Sequence, residues 1–379
     1  MRVDATRVER LGARPRRALP VALASGLLAA AACAGFVGPA SASPTWSVSP
    51  SPQLTKAHGA LSSVACTATS NCYALGWSNN PAGTKTVVEH WNGKAWSFIA
   101  SPGGKGSGLV GHLSCPGAKS CWAVGGVFEH WNGAAWTLAP GPAVSGSAPA
   151  LSSVSCASPT SCTAVGMVSQ RSVGFTPLLE QLNGTTWSRT ALTNVTTGTL
   201  DGVSCRSTTD CVAVGTVFGP AALAERWNGQ SWTISRTPAV PGAVQSFFTS
   251  VSCPTATSCV AVGLFAAGAP ARALAEWWNG KRWSIEPLPV PAATSSQLAG
   301  VSCGSATSCY AVGIYTNPSR KTLVEHWDGK TWSLVASPSP DPGDDFASGA
   351  VSCTSATTCF AVGERWTQGG RLPLIERGS

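Results

Sequence analysis

Seven glutamates, Glu89, Glu129, Glu180, Glu225, Glu276, Glu325 and Glu376, recur in near-identical surroundings. Five of them open copies of one octapeptide, as in EHWNGKAW at 89–96, and Glu180 opens a worn copy, EQLNGTTW. Paired carboxylates are the groups that glycoside hydrolysis uses. Such a pair needs two carboxyls in unlike environments, which a group repeated in every unit does not provide. A buried carboxylate persists only when it is satisfied, so each recurring glutamate is expected to bond backbone or a neighbouring unit. The carboxylates that break the pattern are Asp201, Asp210, Glu286, Asp341, Asp344, Asp345 and Glu364. The run DPGDD at 341–345 offers oxygen ligands for Ca²⁺, but Pro-Gly-Asp is ordinary turn chemistry and is read as a turn.

The cysteines are as regular. Cys66/Cys72, Cys115/Cys121, Cys156/Cys162, Cys205/Cys211, Cys253/Cys259, Cys303/Cys309 and Cys353/Cys359 share the form VSC-x5-C-x-AVG with small variations, leaving only Cys33 over. A metal or redox centre would want Cys-x-x-Cys spacing or histidines in each unit, and neither occurs. Spacing i, i+6 brackets a short turn and sets the two sulfurs across one hairpin, so seven disulfides are expected, and with them an oxidising compartment. Of five histidines, His90, His130 and His326 are repeat residues; His58 and His112 lie in different units and define no site. No cofactor and no metal is expected.

Successive first cysteines are 49, 41, 49, 48, 50 and 50 residues apart, which makes seven units in 379 residues. Each unit reads as four short strands: one ending VSC, one reading C-x-AVG, one such as TLVEHW, and one such as KTWSLVASP. Asn-Gly between the last two is a strong hairpin signal, read as a two-residue type I′ turn. The closing tryptophans Trp96, Trp136, Trp187, Trp232, Trp283 and Trp332 are expected to pack beside a neighbouring unit. Four antiparallel strands repeated every ~40–50 residues point to an all-β fold, a seven-bladed β-propeller with four-stranded antiparallel blades. Unit seven stops after Leu374-Ile375-Glu376, while PTWSVSPSP at 44–52 resembles a fourth strand. The last blade is therefore expected to be closed by the N-terminal strand, so residues 43–379 form one propeller.

Residues 1–42 read as a secretory signal peptide, with six arginines in the first 17 positions, an apolar run Val21 to Val37 and a small-residue cleavage site at Ala40-Ser41-Ala42. Arg16-Arg17 as a twin-arginine signal, and lipid attachment at Cys33, are the alternatives. Beyond residue 42 the chain carries 19 Lys+Arg (25 − 6) against 15 Asp+Glu (17 − 2), a net charge of +4 that argues against nucleic-acid binding. No other apolar run is long enough for a membrane span.

VSC-x5-C-x-AVG followed by E-[HR]-WNG-x-x-W resembles the units of secreted actinobacterial repeat proteins, and the resemblance covers 44–379. It implies the same seven-bladed propeller. The WNG-x-x-W tip is more loosely similar to hairpins of kelch and Asp-box propellers. A sialidase-like site would want a tyrosine nucleophile and an arginine triad, yet Tyr315 is the one tyrosine outside the pattern. A galactose-oxidase-like copper site would want off-pattern histidines and a cysteine free to join a tyrosine.

In a propeller the Cys-turn-Cys and Asn-Gly tips share one face, and the loops joining strands two and three share the other with the blade-to-blade crossings. The second face varies in length and chemistry, and variable loops on a repeated scaffold are where binding resides. Lys85, Arg171, Arg272, Arg320 and Arg371 fall in these loops with Trp77, Phe265, Tyr315 and Trp366; Lys321, Arg365, Phe175 and Phe218 lie there too. A cation and an aromatic in most blades suit an anionic glycan, through charge and stacking. The expected function is a secreted binding module, monomeric, for an acidic glycan, another extracellular or cell-wall polymer, or a protein. The alternative is an extracellular carbohydrate-active enzyme, a polysaccharide lyase or glycoside hydrolase, on the same ring. The bland reading is that these loop cations serve solubility and the aromatics merely finish strand two.

Overall fold

The computed structural model describes residues 45–378 apart from 53, 55–57, 82, 104–110, 143–148, 171–173, 193–194, 290, 292–294 and 339–344. The expected signal 1–42, with Cys33, therefore lies outside the described residues, as do Arg171, Asp341 and Asp344. Among the described residues seven four-stranded antiparallel sheets form a seven-bladed β-propeller. Blade one runs His58–Ala68, Asn71–Asn80, Gly83–Trp91 and Trp96–Ile99, and the other blades repeat that order. Among the described residues no helix is long and apolar enough to cross a membrane.

The blades stack face to face, so a middle strand is buried on both sides. This is why TLVEHW reads as a continuous apolar run rather than an alternating one: Leu323 and Trp327 pack toward blade five, and Val324 toward blade seven. Seven apolar clusters result, each shared by two consecutive blades, and the one joining Val64 and Ala74 to Phe360 and Ile375 connects blade one to blade seven. The closing tryptophans fill these seams as expected. Trp96 lies edge-on to Phe360 at 5.3 Å, Trp136 to Tyr73 at 6.3 Å and Trp187 to Trp122 at 5.4 Å, each partner being the residue after the second cysteine of the preceding blade.

Closure follows the expected route. Trp46–Val48 pairs with Gly370–Gly378 as the fourth strand of blade seven, and Trp46 takes the tryptophan place against Tyr310 of blade six at 5.7 Å. All seven disulfides form within hairpins, each between residues paired opposite or nearly so, with Cα atoms 3.9–4.0 Å apart.

The pairing is as expected. The structure adds the setting of the second cysteines: Cys72, Cys121, Cys259, Cys309 and Cys359 are only 0–1% exposed and lie inside the apolar seam clusters. Each begins a second strand, which neighbouring blades cover on both faces, whereas Cys66, Cys115, Cys303 and Cys353 end a first strand and stay half-buried. These second cysteines are therefore core residues that weld the seam to the hairpin, and they present no surface site to a ligand or a reductant.

The serine of VSC has a reason that its spacing did not reveal. Its Oγ accepts the backbone N–H of the first cysteine of the next blade: Cys156 N to Ser114 at 3.0 Å, Cys205 N to Ser155 at 2.8 Å, and Cys253, Cys303 and Cys353 likewise to Ser204, Ser252 and Ser302. Cys66 N to Ser352 at 3.0 Å carries the same bond across the closure. Blade one reads VAC, and Ala65 supplies no such acceptor.

The Asn-Gly turn differs from the expected two-residue loop. Trp91 pairs with Trp96, leaving the four residues Asn92 to Ala95 in the turn, and Asn92 Oδ1 accepts the N–H groups of Lys94 at 2.9 Å and Ala95 at 3.0 Å. Two side-chain bonds hold the wider loop open, and the same Asx arrangement returns at Asn132, Asn228 and Asn279. Asp328 replaces asparagine without loss because only its acceptor oxygen is used, at 2.8 Å to both Lys330 N and Thr331 N. In blade three the two-residue loop is Gly184-Thr185, since Asn183 still pairs with Thr186. Glycine is required at the tip: Gly93 has φ 92°, and a Cβ there would stand 2.9 Å from Ser70 Cβ of the cysteine turn.

Candidate functional site

The recurring glutamates lie in the seams between blades, each 0–1% exposed, and open into no cleft with a second member of the set. Three are held by a serine from the crossing that enters their blade. Ser51 Oγ donates to Glu89 at 2.9 Å, Ser101 to Glu129 at 2.7 Å and Ser337 to Glu376 at 2.6 Å. Each of these serines precedes a proline, a Ser-Pro signal absent from the crossings that enter blades three to six. Among the described residues Glu180 has only Arg189 at 3.9 Å, and Glu225 Oε1 and both carboxyl oxygens of Glu276 and Glu325 accept no hydrogen bond. Desolvation pushes these carboxyls up, to about 7 for Glu180, Glu225 and Glu325 and to about 8 for Glu276. They are structural groups in strained electrostatic surroundings.

The off-pattern carboxylates are likewise spread apart. Asp210 is paired with Arg206 and Arg226, Glu364 with Arg371, and Glu286 accepts from Ser284. Among the described residues no group of three or more His, Cys, Asp or Glu is placed to hold a metal ion.

The predicted cations and aromatics sit at the outer ends of the strand-two to strand-three hairpins, on one face. The ladder brings several together across strands: Phe265 opposite Arg272, Tyr315 opposite Lys321, Trp366 opposite Arg371, while Trp77 faces Thr86 and Lys85 faces Ser78. Lys85, Arg272 and Arg320 are exposed. Arg371 is already engaged, its guanidinium 4.3 Å from the Trp366 ring and 3.6 Å from Glu364. Among the described residues these cations and aromatics form a string of pairs in separate blades.

A cleft on that same face joins two of the predicted loop aromatics, Phe175 and Phe218, to residues that the loops did not signal. It has a volume of about 750 Å³ and spans blades three to five. Phe175, from the third strand of blade three, forms one wall; Phe218, just past the second strand of blade four, forms the opposite rim; Phe247, Phe248 and Leu264 of blade five close the side. Phe218 is 89% exposed and Phe175 51%, an unusual display of aromatic surface for loops that solubility alone would make polar. The walls are tied down by backbone: Gly198 N donates to Phe175 O at 2.9 Å, Gln245 Nε2 to Val217 O at 2.7 Å and Ser246 N to Gly219 O at 3.1 Å. Asp201, on the first strand of blade four, is the one ionisable side chain among the described lining residues, and burial raises its carboxyl while Thr199 Oγ1 donates to it at 2.8 Å.

Phe175 and Phe218 were visible in the sequence as loop aromatics, and Asp201 as an off-pattern carboxylate. Nothing in the chain order brought them together, since they come from two strands and a loop in two blades. Phe247 carried no signal, because it stands on a first strand rather than in a loop.

A second cleft, of about 760 Å³, opens between blades two and three and is lined by Lys119, Trp122, His130 and Leu138. Trp122 and His130 hold repeat positions, and Trp122 Nε1 is committed to Pro159 O at 3.3 Å.

No known family pattern and no curated protein matches the chain. Solved structures do. The structure of YCF48 bound to D1 peptide aligns with a TM-score of 0.52 at 13% identity, over 88% of this chain and 94% of that one. YCF48 from Cyanidioschyzon merolae aligns with a TM-score of 0.52 at 14% identity, over 88% and 98%. A protein of unknown function from Dyadobacter fermentans gives 0.52 at 11% identity, over 88% and 97%. At such identities the likeness is one of fold, and function rests on the site.

Proposed function

We propose that this protein is an extracellular interaction module that binds a segment of a partner protein on the face carrying the strand-two to strand-three loops. The observation that carries this reading is the cleft spanning three blades, with Phe175 and Phe218 presented at its walls on a backbone already hydrogen-bonded in place. Rigid aromatic anchors in a preformed groove bind with little ordering cost. The fold's use in YCF48, whose solved complex holds a D1 peptide, supports a peptide ligand. Seven disulfides fit an oxidising compartment, which supports export by the signal at 1–42 and membership in the secreted actinobacterial repeat proteins.

A second reading, an acidic glycan, is favoured by the exposed Lys85, Arg272 and Arg320 on the same face. The two readings part under salt. Selection of a displayed library of short peptides on the immobilised protein is expected to yield binders that tolerate raised salt and that Phe218→Asp abolishes, with Lys94→Gln on the opposite face neutral. Retention on polygalacturonate that collapses with salt, and with Lys85, Arg272 and Arg320 replaced together by glutamine, would support the glycan instead.

A further inference from the structure

Blade four places a charge at one position that faces the cleft. Where the first strand bulges, blade one has Ser62 and blade five Thr249, and each hydroxyl latches the ring. Ser62 Oγ lies 3.3 Å from Leu75 O and 3.1 Å from Gly111 O of the next blade, and Thr249 Oγ1 lies 3.0 Å from Val262 O and 2.9 Å from Leu298 O of the next blade, one hydroxyl proton serving both carbonyls in each case. The other blades have Ser152 in blade three, Ala299 in blade six, and glycine, Gly111 and Gly349, in blades two and seven. Blade four has Asp201 at the bulge between Leu200 and Gly202. An ionised carboxylate cannot donate to carbonyl oxygens, and here it lines the cleft instead. The equivalent residues of the other six blades are serine, threonine, alanine or glycine, so Asp201 is the one charged residue at this position of the repeat.

The surroundings specify what that charge is for. Among the described lining residues Asp201 meets one hydroxyl, Thr199, and no cation; the rest are aromatic or aliphatic side chains, threonines, glycines and Gln245. A carboxylate beside exposed phenylalanines favours a ligand that carries a cation next to an apolar group, because the cation relieves the desolvation that the walls impose. We propose that the cleft selects a partner segment in which a bulky apolar side chain, packed on Phe175 and Phe218, is neighboured by a lysine or arginine seated on Asp201. This rests on the peptide-binding reading above and adds the chemical class that the site recognises.

The test uses fluorescently labelled, capped peptides that hold phenylalanine next to lysine, norleucine or glutamate, titrated against the whole protein by polarisation. The Phe-Lys peptide is expected to bind at least about tenfold more tightly than Phe-norleucine, and the glutamate peptide most weakly. Asp201→Asn keeps the acceptor for Thr199 and the side-chain shape, so its melting temperature should not move. That variant is expected to erase the lysine preference while leaving the norleucine affinity within about twofold. Phe218→Ala should weaken all peptides together. Binding that depends on Phe218 yet shows the same lysine preference in Asp201→Asn, or no preference at all, overturns this inference and leaves the peptide-binding face standing. Absence of peptide binding by the wild-type protein, with or without retention on an acidic glycan, overturns both.

Discussion

Replacing Glu276 by glutamine should remove a specific part of the pH dependence of stability. Glu276 is fully buried with neither carboxyl oxygen bonded among the described residues, and desolvation lifts its value from 4.5 to about 8. The folded chain thus holds a proton that the unfolded chain has already released. The stability this confers is complete below 4.5 and is lost as pH rises through about 8. Buried histidines act in the opposite sense: His90, His112, His130 and His326 are pushed down by burial, so stability falls as pH drops below their ordinary 6.5. Between pH 6.5 and about 8 only the carboxyl effect operates, a span of 1.5 pH units (8 − 6.5). At about 1.4 kcal/mol per pH unit for one proton, Glu276 accounts for about 2 kcal/mol of lost stability across that span. Urea unfolding at several pH values, followed by tryptophan fluorescence, measures the slope in the wild type and in Glu276→Gln. The variant's overall stability is not the readout, since an amide in the same place carries its own pH-independent cost. Its slope should be shallower by about one proton. An unchanged slope would refute the assignment of a protonated carboxyl to this seam.

Removal of residues 45–50 takes away the strand that pairs with Gly370–Gly378 and uncovers Tyr310; at about 25 cal/mol per Å² of buried tryptophan surface, a loss on the order of 4 kcal/mol is expected, or about 6 °C in melting temperature. An unchanged melting point would argue against closure through Trp46. The serine ring makes a paired prediction in chemical denaturation: Ser302→Ala, which strips the acceptor from Cys353 N, should cost about 1–2 kcal/mol, while Ala65→Ser, which offers blade one the missing acceptor for Cys115 N, should add about 0.5–1 kcal/mol. Loss of stability in both would show that the hydroxyl itself is not what the position requires.

Much of the architecture was legible because its determinants are local and repeated. Cysteines six apart must face each other across a turn, four strand patterns per ~49 residues leave few folds, and a fourth strand missing at one end and present at the other implies a closed ring. The burial of Cys72 and its counterparts was not legible, because it depends on the neighbouring blade that covers the second strand. The glutamates were legible as structural for a related reason, since sevenfold recurrence denies any one of them a distinct environment. The Ser-Pro dipeptides before blades one, two and seven were equally plain to see, yet their link to Glu89, Glu129 and Glu376 spans 38, 28 and 39 residues and emerges only when the crossing lies against the next blade. The asparagine tip was misjudged in loop length because an Asx side chain and a type I′ turn favour the same two letters, and pairing outside the turn decides between them.

By itself, then, the amino-acid order determined the number of blades, the disulfide pairing, the closing strand and the face that varies. Each follows from contacts between residues near in sequence or from a period that counts itself. The tertiary structure alone decided where a ligand could sit. The loop cations, legible as a set, are held apart in separate blades by the radius of the ring, whereas Phe175, Asp201, Phe218 and Phe247 come from separate strands and a loop and converge because three blades meet at that rim. A repeat pattern reports what every blade shares. A cleft arises where neighbouring blades differ, and which differences become neighbours is set by strand order and seam packing.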